Sequence, residues 1–87
     1  MQAIVDVSLY PLANDFIPHI DTFIYKIQEN SNLEVTVSET STSIKGEYDE
    51  LMSVLTEAMK SSLSAVPCSF NLRILGGATG DVENKHL

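Results

Sequence analysis

The chain has no tryptophan, a single cysteine, and five basic residues against twelve acidic ones. Each shortage excludes something. With Cys68 as the lone thiol, no internal disulfide can form, and a C-x-x-C soft-metal site lacks its second ligand. His19 and His86 have no metal-ligand spacing with that thiol, and so few histidines leave no Ser–His–Asp or Cys–His set to assemble. A non-enzyme is the expectation. Lys26, Lys45, Lys60, Arg73 and Lys85 are scattered, so no linear basic run tracks phosphates and nucleic acid is not expected as a partner. Nowhere does an apolar run approach the roughly 20 residues of a membrane helix. The opening MQAIVDVSLY alternates like a strand and carries an acid where a secretion signal would be basic. Together with the lone thiol, this points to a cytoplasmic protein.

What is present describes one small domain. Eighty-seven residues cannot build two independent cores, and 44% apolar with 20% charged residues is ordinary for a soluble chain. The net charge of −7 favours cationic or neutral partners weakly, and equally serves solubility. Val5, Val7 and Leu9 alternate with Asp6, Ser8 and Tyr10, which predicts a strand with one buried face, ended by Pro11. Asn14 or Asp15 can cap a helix whose stripe is Phe16, Ile20, Phe23, Ile24 and Ile27. LEVTV reads as a second strand, with Leu33, Val35 and Val37 on one face. EYDELMSVLTEAMKSSLSA is a second helix with acids at its positive end and Leu51, Leu55, Ala58 and Ser62 along its buried stripe. CSFNLRIL is a last strand with Cys68, Phe70, Leu72 and Ile74 inward. The expected domain runs over residues 1–78, with a polar C-terminal tail at 79–87.

Between the second strand and second helix lies SETSTSIKG, Ser38 to Gly46, with five hydroxyls in nine residues. Read as a strand, it completes the order βαββαβ. That is the ferredoxin-like α+β arrangement: a four-stranded antiparallel sheet with both helices on one face. The right-handed crossover rule then sets the first and third strands at the centre. Without this strand, two amphipathic helices would overhang a three-stranded sheet. Alternation places Thr40 and Thr42 with Ile44 toward the helices, and Ser41, Ser43 and Lys45 on the open face. Inward hydroxyls need partners or cost about 1–3 kcal/mol each. A polar patch at the mouth of the core is therefore expected. The same topology serves anion-binding hydrolases and RNA-binding modules, but Arg73 lies within a strand rather than a glycine-rich loop. Asp6, Ser8, Ser41, Ser43, Asn71 and Arg73 make a poor stacking surface.

SLYPL (Ser8–Leu12) and STSIKGE (Ser41–Glu47) leading into YDELM resemble the single-domain thiamine-binding proteins with a YkoF-like, ferredoxin-like fold. The likeness extends from about Val5 to Leu75. It implies non-catalytic binding of thiamine or its hydroxymethylpyrimidine moiety, in thiamine salvage or transport, by a homodimer or homotetramer. Thiamine would be a ligand and not a cofactor. The site residues implied are Tyr10, Thr40, Ser41, Thr42, Ser43 and Glu47. Thr42 and Ser41 match the family's small hydroxyl-bearing pair, suited to a pyrimidine's amino group and ring nitrogens. Gly46 and Glu47 match its Gly-Glu corner, where glycine permits the turn and the acid either starts the helix or faces a cation. Tyr10 either packs the strand end or stacks on a heterocycle. The rival reading is a small oligomeric regulatory or interaction module that binds another metabolite effector.

Overall fold

A computed structural model describes residues 1–77; the expected tail at 79–87 lies outside the described residues. The elements are β1 (Gln2–Pro11), α1 (Phe16–Gln28), β2 (Glu34–Val37), β3 (Thr42–Glu47), α2 (Tyr48–Ala65) and β4 (Cys68–Gly76). The four strands form one antiparallel sheet in the order β2-β3-β1-β4, so β3 and β1 are central as the crossover rule requires. This is the ferredoxin-like α+β fold.

The core follows from the two periods in the sequence. Ala3, Val5 and Val7 of β1 and Thr42, Ile44 and Gly46 of β3 point toward the helices and are buried. Phe23 and Ile27 of α1, and Leu51, Leu55 and Ala58 of α2, close over them. Phe23 also meets Phe70 of β4 in a tilted ring pair, with centroids 5.2 Å apart. On the other side, the register lines up Glu34, Lys45, Ile4 and Leu75 in one row and Thr36, Ser43, Asp6 and Arg73 in the next.

Three expectations change here. The hydroxyl-rich segment is only half a strand, because β3 begins at Thr42 and Ser38–Ser41 form the turn between β2 and β3. Ser38 holds that turn: its N–H donates to the Ser41 carbonyl at 2.9 Å and its hydroxyl to the same oxygen at 3.0 Å. The Ser41 N–H donates back to Ser38 Oγ at 3.2 Å. Secondly, Gly46 lies within β3, and its lack of a side chain serves a close approach. A Cβ there would sit 2.5 Å from Leu33 Cδ2, which crosses above it. Thirdly, Leu72 and Ile74 have the inward register opposite Val7 and Val5 but stay 42% and 48% exposed. The helices seat over β1 and β3, and edge strand β4 extends past their cover.

Candidate functional site

The pairing of β1 is lopsided. It follows β4 all the way to Pro11↔Cys68, yet leaves β3 after Val7↔Thr42. The last turn of the ladder is therefore missing on one side, and a cleft of about 560 Å³ opens there. Its walls are Val7 to Pro11 of β1, Val37 to Thr42 across the β2–β3 turn, and Phe16, Ile20, Asp21, Phe23 and Ile24 of α1. Phe16, Tyr10 and Val37 are each about half exposed around its mouth.

The stripe on α1 explains the roof. Its C-terminal half, Phe23 and Ile27, is buried over the sheet, while Phe16 and Ile20 continue the same face beyond the point where β3 ends. Asp15 is the N-cap but makes no side-chain capping bond. Its carboxylate instead lies 3.7 Å from His19 Nε2, one turn on, and His19 is not part of the cleft lining.

Thr42 is the most buried polar residue of the lining: it is 5% exposed, and its hydroxyl, which makes no hydrogen bond among the described residues, opens onto the cleft. In the same gap stands a group with no sequence signal, the backbone of Leu9. Tyr48 N–H donates to the Met1 carbonyl at 2.9 Å, and Leu12 N–H to the Pro67 carbonyl at 2.8 Å. Odd-numbered residues of β1 therefore direct their N–H and C=O toward β3, and even-numbered ones toward β4. A continued ladder would set Leu9 opposite Thr40. Among the described residues no such backbone bond forms, and the Thr40 carbonyl instead accepts from Ser8 Oγ at 3.0 Å. Leu9 thus presents one donor and one acceptor to the cleft, beside the Thr42 hydroxyl.

Of the residues expected at the site, Tyr10, Thr40, Ser41 and Thr42 line this one cleft. Thr40 does so from the turn and not from an inward strand position. Tyr10 shares its strand parity with Ser8, so it borders the mouth from the side away from the helices. Ser43 does not join them, because it faces the open side of the sheet in the row of Thr36 and Asp6. Glu47 stands at the opposite end of β3 as the N-cap of α2. Its Oε1 accepts from the Asp49 and Glu50 N–H groups at 3.1 and 3.2 Å, and its Oε2 lies 3.7 Å from the Met1 ammonium. Its carboxyl is held below the ordinary glutamate range, chiefly by the Glu50 N–H. Phe16, Ile20, Asp21, Ile24 and Glu39 also line the cleft and were not expected at the site. The α1 stripe could have flagged the first of these, had its overhang past β3 been foreseen. Among the described residues no cluster of His, Cys, Asp and Glu could hold a metal ion.

A cleft with an apolar wall and several polar groups suits a flat heteroaromatic guest. Comparison with solved structures extends the likeness over almost the whole chain. A Streptococcus pneumoniae protein superposes with a TM-score of 0.84 at 27% identity, covering 98% of this chain and 97% of that one. A Thermotoga maritima protein with a suggested part in thiamine biosynthesis or salvage gives 0.79 at 20% identity, over 99% of this chain and 100% of its own. A Methanocaldococcus jannascii protein gives 0.78 at 18% identity, over 97% and 95%. The last two share the fold. No curated protein matches the chain. A sequence model of the thiamine-binding protein family matches residues 5–75, which include the cleft walls from all three elements. The chain therefore belongs to the thiamine-binding protein family.

Proposed function

We propose that the cleft between α1 and the end of the β1–β3 ladder binds thiamine or its hydroxymethylpyrimidine moiety, without catalysing a reaction, in thiamine salvage or transport. Family membership carries the coarser part of this, a thiamine-related role. The observation that carries the rest is Thr42, a residue only 5% exposed whose hydroxyl makes no hydrogen bond among the described residues and opens onto a cleft walled in part by Val7, Leu9, Phe23 and Ile24. A polar group in such a place is stabilised by a guest that bonds to it. An aminopyrimidine edge offers a ring nitrogen acceptor beside an amino donor. The Leu9 N–H and C=O are its complement, and Thr42 adds a hydroxyl that can serve either way. Phe16 and Tyr10 at the mouth would meet the thiazolium ring, with cation–π attraction of about 0.5–2 kcal/mol. Thr40 and Ser41 shape the rim from the turn. Ser43 and Glu47 have no contact with this ligand.

Isothermal titration of the chain with thiamine tests the reading. Saturable heat that weakens in Thr42→Val is expected; a folded protein giving none at millimolar thiamine refutes it.

Self-association as a homodimer or homotetramer is part of the same proposal, and the uncovered Leu72 and Ile74 on edge strand β4 support it. They also favour the rival, a regulatory or interaction module. That reading expects concentration-dependent assembly, measured by light scattering, in a protein indifferent to thiamine.

A further inference from the structure

We infer that Asp21 and Glu39 make the cleft select a cationic, unphosphorylated ligand and turn away phosphate esters; this rests on the cleft being the thiamine site. The two carboxylates reach the cleft from different walls, Asp21 from α1 and Glu39 from the β2–β3 turn. Neither is engaged in an ion pair or hydrogen bond among the described residues. Among the described residues, no Lys, Arg or His side chain is part of the lining. The basic side chains described lie elsewhere: Lys26 in an outer groove between α1 and α2, Lys45 and Arg73 on the open face of the sheet, and Lys60 on exposed α2 surface.

A second feature of the cleft also points to a guest: Thr42 is only 5% exposed, and its hydroxyl opens onto the cleft without a hydrogen bond among the described residues. A phosphate bound beside it would need cationic donors or a fan of backbone N–H groups. The α1 residues that line the cleft, Phe16, Ile20, Asp21, Phe23 and Ile24, recur at helical spacing. Phe16 is the first residue of the helix, but the other four lie past its first turn, so the helix offers the cleft chiefly its flank and a carboxylate. A thiazolium ring is the opposite case. Its charge is permanent, it can stack against Phe16 or Tyr10, and the two carboxylates on the cleft walls attract it. A phosphate ester on the same molecule brings negative charge to that rim, where like charges repel.

The test is calorimetry on the whole chain with thiamine, thiamine monophosphate and neutral hydroxymethylpyrimidine, repeated on the Asp21→Asn/Glu39→Gln double variant. Both residues are exposed, so the substitutions leave the core intact. The unaltered protein should bind the monophosphate roughly tenfold or more weakly than thiamine. The double variant should shrink that gap to about twofold, by weakening thiamine and strengthening the ester, with hydroxymethylpyrimidine affinity held within about twofold. Equal affinity for thiamine and its monophosphate, or an undiminished gap in the variant, overturns the charge selection and leaves the thiamine reading standing. Binding of the pyrimidine but not of thiamine overturns it too. Heat with none of the three removes the reading and the selection together.

Discussion

The two ends of β3 are built to opposite rules. At the Gly46 end the packing is close. Leu33 crosses the glycine, Leu51 and Leu55 of α2 pack on Ile44, and Glu47 caps the helix that follows. At the Thr42 end, four residues earlier, the ladder to β1 lapses, the helix overhangs the cleft, and a hydroxyl opens into it without a hydrogen bond among the described residues. The strand is continuous, so the difference lies in what covers it. One end gives the domain its stability, and the other holds open a slot that stability alone would have closed. Sites commonly occupy such places because a binding cleft must forgo packing and leave polar groups waiting.

Substitutions can break the comparison, and the largest effect belongs at the filled end. Leu55 is fully buried between β3 and α1, so Leu55→Ala should cost about 2–5 kcal/mol of unfolding free energy in a urea titration. Thiamine affinity of the folded fraction should stay where it was. A cost below about 1 kcal/mol would mean that this end is no better packed than the cleft. Next comes Gly46→Ala, where a methyl group must displace Leu33. A loss of about 1–3 kcal/mol is expected, and an unchanged midpoint would show that Leu33 swings aside freely.

The filled end was also the more legible one. Val5, Val7 and Ile44 alternate with polar neighbours, and Leu51, Leu55 and Ala58 recur at helical spacing, so both periods named their buried faces. The open end misled for a physical reason. In S-E-T-S-T-S no apolar residue marks either face, and a hydroxyl fits a strand, a turn or a pocket equally well. The decision fell to Ser38, whose side chain closes the turn on Ser41, so that β3 begins only at Thr42. Phe16 looked like core because its spacing is right; what it lacks is a strand beneath it. Leu72 and Ile74 have the core parity for the same reason, but sit on an edge that the helices do not reach. The Leu9 backbone left no trace in sequence at all.

Thr42→Val sharpens the contrast by separating the two functions of the strand. Valine is nearly isosteric, and the hydroxyl it removes has no partner among the described residues. Stability should hold or rise slightly, while thiamine affinity falls about tenfold, near the upper end of what one hydrogen bond contributes. Destabilisation with unaltered binding would reverse the assignment of that end.

The smallest effect lies at the exposed cap. Glu47 is partnered by two N–H groups and the Met1 ammonium, and these favour its charged form, so its folded carboxyl titrates below the ordinary value of 4.5. A depressed carboxyl contributes stability above its unfolded value, and that contribution is lost as pH falls through the lower, folded one. Near neutral pH, Glu47→Gln should therefore unfold at slightly lower urea than the parent. The gap should close as both are acidified below 4.5, because the parent then loses the charge that the variant never had. Thiamine affinity near neutral pH should be the same in both, since the cap stands at the far end of β3 from the cleft. A gap that persists undiminished in acid would mean that glutamine fails as a cap for its shape and not for its charge.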